Sequence, residues 1–223
     1  LGNGAYTHDS TTVLSGLATA GAVITLYDGE TVLGSVVAGA DGQWVFTPAA
    51  LADGSHAFHA SITDASGTTQ SATITINIDT VAPDAASDLQ LDNDSGSTVV
   101  PIAAGGDTND NTPTLSGTAE PGSVVTIRDG DTVLGSVTVG SNGSWQFTSP
   151  TLNDGAHSLT TTVTDPAGNV SDPSSPIDFT VDTGVPAAAT GLTVTDDVNG
   201  TQVLTSGAVT DDNTPTLAGQ AEP

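Results

Sequence analysis

The chain has no cysteine, no methionine and no lysine, and its one basic residue is Arg128. Absence of cysteine rules out disulfide staples, thiolate metal sites and a Cys nucleophile. Absence of lysine rules out a Lys–Asn isopeptide cross-link. No apolar run reaches about 18 residues, so no transmembrane helix is expected. The opening Leu1-Gly2-Asn3-Gly4 lacks the basic head and apolar core of a signal peptide and reads as a point inside a longer chain. Aromatic residues make up only 4%, so each is expected to have a fixed packing role. Against the single arginine stand 26 Asp plus Glu, for a formal net charge of −25. Such a polyanion repels nucleic acid and anionic membranes, which need Lys and Arg to displace counter-ions. Its own repulsion calls for a cationic neutraliser, and inorganic cations are the candidates. The simpler reading is an acidic surface that keeps the chain soluble.

In place of helix formers the sequence has Val, Thr, Ile, Gly, Asp, Asn and Ser. β-Branched residues suit a pleated, half-buried surface, and Gly, Asn and Asp suit tight turns. The chain also repeats itself. Gly29-Glu30-Thr31-Val32-Leu33-Gly34-Ser35-Val36 returns as Gly130-Asp131-Thr132-Val133-Leu134-Gly135-Ser136-Val137. In the same register Trp44 matches Trp145, Phe46 matches Phe147, Asp53-Gly54 matches Asp154-Gly155, and His56 matches His157. Roughly half of the positions in this stretch are identical, far beyond chance. A third copy begins where Asp212-Asn213-Thr214-Pro215-Thr216-Leu217 repeats Asp110-Asn111-Thr112-Pro113-Thr114-Leu115, which sets the period at 102 residues. That is the size of one immunoglobulin-type sandwich.

In the complete copy, Val/Thr/Ile runs bounded by turn residues predict seven strands. They are A near 88–92, B at 112–118, C at 123–128, D at 132–139, E at 144–148, F at 156–164 and G at 175–181. The expected fold is all-β, a tandem of seven-stranded immunoglobulin-like β-sandwiches. Asp79-Thr80-Val81-Ala82-Pro83 and Asp182-Thr183-Gly184-Val185-Pro186 follow equivalent strands and are taken as boundaries. Residues 1–80 form a first repeat lacking most of strand A, 81–183 a complete repeat, and 184–223 the strands A and B of a third.

Several motifs resemble the hallmarks of bacterial Ig-like repeats. They are Thr112-Pro113-Thr114-Leu115-Ser116-Gly117-Thr118-Ala119-Glu120-Pro121-Gly122, Gly143-Ser144-Trp145-Gln146-Phe147, Leu152-Asn153-Asp154-Gly155 and Thr164-Asp165-Pro166-Ala167-Gly168-Asn169. Such repeats build giant surface adhesins and biofilm-associated proteins. The resemblance implies a secreted, extracellular rod on the bacterial surface that holds an adhesive tip away from the cell, with calcium at the domain junctions.

Loops of an antiparallel sandwich alternate between its two ends. The B–C, D–E and F–G turns of the second copy therefore share one end, with Glu120, Asn142, Asp165 and Asn169. The chain enters there with Asp79. The facing end of the first copy carries Asp9, Asp28, Glu30 and Asp53. Calcium takes 6–8 oxygen ligands at about 2.3–2.6 Å, and Asp165-x-x-Gly168-Asn169 suits an ion-binding turn. Asp79, Glu120 and Asp165 are expected to share one calcium, with help from Asn169 or loop carbonyls; alternatively Glu120 and Asp165 only cap turns. The first copy has Thr19 in place of Glu120 and is a poorer site. The third keeps Glu222 and is preceded by Asp182. A second pattern, Asp107-Thr108-Asn109-Asp110-Asn111 before Pro113, fits the calcium-binding linker of cadherins, or an ordinary Asx-rich A–B loop.

Enzyme readings find little. His157 and Ser158 are strand neighbours and point to opposite faces, and the first copy has Ala57 in place of the serine. Trp44 and Trp145 fit a core better than a sugar platform, since Phe46 and Phe147 follow at i+2 on the same face. Arg128 is expected to pair with a nearby acid. The favoured reading is a non-enzymatic adhesin spacer partnered by calcium and by neighbouring repeats, with any host or biofilm-matrix ligand bound through domains outside this segment. The alternatives are an Ig-like module that binds a host protein or glycan, and an accessory domain of a secreted hydrolase.

Overall fold

The computed structural model describes residues 1–64, 67–198 and 200–221, and among them there are strands and turns but no helix. The first copy runs β1 (Ala5–Thr7), β2 (Leu14–Leu17), β3 (Val23–Asp28), β4 (Thr31–Val37), β5 (Gln43–Phe46), β6 (Gly54–Asp64), β7 (Gly67–Gln70) and β8 (Ile74–Ile78). One sheet has the order β1-β8-β6-β3-β4, with β7 also on β6, and β2 pairs with β5 in the other layer. The second copy runs β9 (Ser87–Asn93), β10 (Val100–Pro101), β11 (Gly106–Thr108), β12 (Thr114–Thr118), β13 (Val124–Asp129), β14 (Thr132–Thr138), β15 (Ser144–Thr148), β16 (Gly155–Thr164) and β17 (Ile177–Val181). Its sheets are β10-β9-β12-β15 and β11-β17-β16-β13-β14.

These strands agree with the seven expected ones to within a few residues at each end, and add two. β10 folds back on β9, and β11 lies parallel to β17, so Asp107 stands opposite Thr180. The segment that resembles a cadherin linker therefore lies inside the second sandwich. β1 repeats the arrangement in the first copy, parallel to β8. The fourth strand of the seven, β14, pairs with β13 rather than β15.

Alternation of side chains on these strands fills the space between the layers. Leu115, Val125, Ile127 and Val163 are wholly buried in one cluster with Trp145, Leu159 and Phe179. Each such aliphatic side chain contributes about 1.5–3 kcal/mol of hydrophobic stabilisation. A separate unit, Thr183–Pro223, holds β18 (Thr190–Asp196), β19 (Gln202–Leu204) and β20 (Thr216–Gln220) in one sheet, order β19-β18-β20.

Two glycine positions carry the aromatic packing in both copies. Trp44 lies across Gly16 and Trp145 across Gly117, its cross-strand partner. A Cβ on Gly16 would stand 2.6 Å from the Trp44 ring, and one on Gly117 would meet Leu89, the Ser87 carbonyl and the Trp145 ring at 2.8–3.0 Å. Gly34 and Gly135 give Phe46 and Phe147 the same clearance. The ring of the fifth strand thus needs bare backbone beneath it. Overpacking of this kind costs about 1–3 kcal/mol. Gly117→Ala should lower the stability of the second copy by that amount in urea denaturation. Gly96→Ala, with nothing within 4 Å of its Cβ, should be near neutral.

Candidate junction site between the repeats

The last strand of the first copy runs directly into the second. The Asp79 N–H donates to the Thr7 carbonyl at 3.0 Å, which extends the β1–β8 ladder by one rung. Thr80 donates its N–H (3.1 Å) and hydroxyl (2.9 Å) to Asp53 Oδ1, and the Asp79 carboxylate accepts the Val81 N–H. The link is thereby tied to the end of the first sandwich.

On the other side stands the turn after β16, residues 165–169. Asp165 Oδ1 accepts the N–H groups of Gly168 (2.7 Å) and Asn169 (2.9 Å), and Gly168 takes the positive φ of 99° that the turn requires. The Asn169 amide is held from both sides. Nδ2 donates to Asp165 Oδ2 at 2.7 Å and to the Asp79 carbonyl at 2.8 Å. His8, next to β1, donates from Nδ1 to the Ala167 carbonyl at 2.9 Å. A Cβ on Gly168 would approach the same imidazole to 3.1 Å. Asp165 is buried, which alone pushes its pKa up, but the Asn169 amide and the turn N–H groups outweigh burial and hold it below the usual carboxylate value.

Asp79, Asp165 and Asn169 therefore meet, though Asp79 contributes its carbonyl and not its carboxylate. Glu120 is exposed on the neighbouring B–C turn, beside Asp84, and its carbonyl accepts the Ser123 N–H and hydroxyl. Asp110 is buried, with Oδ2 accepting the Asp94 N–H and Oδ1 the Thr112 N–H and hydroxyl. Burial raises and these bonds lower its pKa, with a net fall. Asp9 and Asp212 cap Thr11 and Thr214 in the same way. Asp107 lies in β11 and is exposed, and the Asp182 N–H continues that strand's ladder to the Thr108 carbonyl. Glu222 lies outside the described residues. Among the described residues no three Asp, Glu or His side chains gather closely enough to hold a metal. The donor set as placed does not fit calcium, because an amide nitrogen stands between the two oxygens that would have to face the ion. His8 gave no sign in the sequence: its counterpart in the second copy is Asn109.

The model of the family described as "Bacterial Ig-like domain" matches residues 2–80 and 81–183. The chain belongs to the bacterial Ig-like domain family. No curated protein matches it. Among solved structures it is similar to the fibronectin(III)-like modules of Clostridium thermocellum CbhA, with 16% identity over 81% of this chain and 90% of that one, at a TM-score of 0.45. It is also similar to the BSP domain of a biofilm-associated protein (23% identity, 82% and 29% covered, TM-score 0.30) and to the D0-D1 domain of intimin (12%, 80% and 95%, TM-score 0.28).

Both Ig-like repeats share one further polar device. His56 Nδ1 donates to Asp28 Oδ2 at 2.6 Å and Nε2 to the Ala52 carbonyl at 2.8 Å. His157 does the same with Asp129 (2.7 Å) and the Asn153 carbonyl (2.8 Å). The other carboxylate oxygen accepts the N–H of Ala57 or Ser158. Two acceptors on one ring favour the doubly protonated imidazolium. Both nitrogens of His157 are thus engaged, and Ser158 Oγ donates to Asp178 at 2.6 Å, so Ser158 and His157 form no nucleophile–base pair. Arg128 reaches the Asp131 carbonyl at 3.4 Å rather than the expected carboxylate.

At each histidine, burial opposes the charge, but the aspartate and carbonyl hydrogen bonds prevail and raise the pKa. A raised folded pKa stabilises the fold fully below the unfolded value of about 6.5, and that contribution is lost as pH rises through the folded value. Melting temperature should therefore fall between pH 6 and pH 8.5. The double variant His56→Gln/His157→Gln should be less stable at pH 6 and should show a flat profile over that range in differential scanning calorimetry.

Proposed function

We propose that these Ig-like repeats are spacer units of a bacterial surface adhesin. On this reading they act outside the cell and carry an adhesive domain encoded elsewhere in the polypeptide. The observation that carries the proposal is the Asn169 bridge, in which one side chain joins the Asp79 carbonyl at the end of one repeat to the F–G turn of the next. A link of a few residues, tied down on both sides, transmits orientation from repeat to repeat, which is what a stalk needs. Family membership and repetition at a period of 102 residues support the same reading. So does the side-chain chemistry, which is spent on turns and on the junction. Calcium enters the proposal as the neutralising cation of a chain with a net charge of −25, attracted by the summed field of the acids.

The chain has no native cysteine, so spin labels can be placed at will. Labels on Thr31→Cys and Thr151→Cys, both exposed and one on each repeat, should give a narrow distance distribution by pulsed electron resonance. Asn169→Ala should broaden it. An equally broad distribution in both would remove the stiff spacer. Millimolar calcium should raise the melting temperature more than sodium chloride of equal ionic strength does; equal effects would reduce the ion's part to screening.

A further inference from the structure

The turn between β4 and β5 and the turn between β14 and β15 are built alike, with Asp41 in one and Asn142 in the other. In the first copy Asp41 Oδ1 accepts the Gln43 N–H at 3.0 Å. Gly42 donates its N–H to the Gly39 carbonyl at 2.9 Å, and its own carbonyl accepts the Ala18 N–H at 2.9 Å. In the second copy Asn142 Oδ1 accepts the Ser144 N–H at 3.1 Å. Gly143 donates to the Gly140 carbonyl at 2.9 Å, and its carbonyl accepts the Ala119 N–H at 2.9 Å. Gly42 and Gly143 share a positive φ, 79° and 82°. The same backbone turn is therefore closed by a carboxylate in one copy and by a primary amide in the other.

That amide is in a reactive setting. Asn142 is exposed and is followed by glycine. The side-chain carbonyl carbon of an asparagine is open to attack by the backbone nitrogen of the next residue, and a glycine there puts no side chain in the path. The Ser144 N–H already donates to Oδ1, the atom on which negative charge gathers as that nitrogen adds to Cγ. The bond that attack has to break is the one from the Gly143 N–H to the Gly140 carbonyl, within the turn itself. Asn3-Gly4 is held differently. There Asn3 Oδ1 accepts the Thr75 N–H and the Gly4 N–H donates to the Thr75 carbonyl, so both reacting groups are tied to β8.

We propose that Asn142 is a site of spontaneous deamidation, which gives the second repeat the aspartate turn of the first. The Gly143 nitrogen loses its proton to hydroxide and bonds to Asn142 Cγ. The Cγ–Nδ2 bond then breaks, and ammonia leaves with a proton from water. A second water opens the cyclic imide, so the sum is one water consumed and one ammonia released. Opening between Cγ and the Gly143 nitrogen leaves an ordinary aspartate. Opening on the main-chain carbonyl side leaves isoaspartate, with an extra methylene in the backbone. The folded turn selects aspartate, because its bonds to Gly140 and Ala119 need the normal backbone spacing, and Asp41 keeps the equivalent bonds in the first copy. The product adds one carboxylate to a chain of net charge −25, in a shallow depression that Asp88, Thr118 and Ser144 also line. The proposal stands apart from the spacer role and survives its failure.

The test is to incubate the full chain at pH 8, with a portion at pH 5 as the hydroxide-poor control, and to digest both with a protease that cleaves before aspartate. Residues 131–153 form one fragment, since no acid lies between Asp131 and Asp154. Conversion at Asn142 exchanges NH2 for OH in the mass of that fragment and creates a new cleavage before residue 142. Isoaspartate gives the mass change without the cleavage. The expected result is a new cut that grows with time at pH 8 and not at pH 5, while Asn153 in the same fragment stays an amide. Asn142→Gln, whose longer side chain has to close a larger ring, should lose the new mass. Asn142→Asp should melt with the starting chain, because the Asp41 turn is its template. An unchanged mass at residue 142 overturns the proposal. So does conversion to isoaspartate alone, or a melting temperature of Asn142→Asp clearly below that of the starting chain.

Discussion

A chain with 26 acids and one arginine has to satisfy its carboxylates without ion pairs to lysine or arginine. A carboxylate near a folded backbone still needs hydrogen-bond donors, since burying an unpaired charge costs far more than any turn contributes. Among the described residues the donors include backbone N–H groups, threonine and serine hydroxyls, asparagine and glutamine amides and histidine rings. Asp9, Asp110 and Asp212 take the N–H and hydroxyl of the threonine two residues on. Asp165 takes two N–H groups and the Asn169 amide. Asp28 and Asp129 take a histidine and an N–H each. The acids of this fold are turn formers first: the Asp–Thr cap recurs at Asp9, Asp110 and Asp212, and the Asp–His pair at Asp28 and Asp129.

The junction follows from that rule. Once Asp165 has folded its own turn around Gly168 and Asn169, the Asn169 amide has one proton left, and the carbonyl of Asp79 accepts it. His8 adds a second bond to the same turn. The matching stretch of the first copy pairs differently. There β6 runs antiparallel to β7, with Thr63 opposite Thr68 and Asp64 opposite Gly67. Thr68 stands where Asn169 does, and the bridging amide is absent from the sequence itself. The Asn169 bridge therefore distinguishes the second copy from the first.

Much of the fold was legible. Repetition set the period, Val/Thr/Ile alternation placed the main strands, and the i+2 spacing of Trp145 and Phe147 put both rings in the core. β10 and β11 were not legible, because the segment from Asp94 to Asn111 has no alternation and β11 exists only through its ladder with β17. The junction was half legible. The breaker-rich turn and the short link placed Asp79, Asp165 and Asn169 at one end, but nothing in a residue name says whether a carboxylate or a carbonyl will face its neighbour. His8 was invisible because its role depends on a contact 159 residues away in sequence.

The most direct test is to titrate the carboxyl and imidazole groups of the folded chain by carbon-13 NMR between pH 2 and pH 9. If turn donors hold the acids, Asp110 and Asp165 titrate below the ordinary aspartate value of about 3.9, and His56 and His157 above the ordinary histidine value of about 6.5. Calcium should leave the order of these values unchanged. Ordinary values for all four groups would contradict the account, and so would a fall in the Asp165 pKa that appears only when calcium is added.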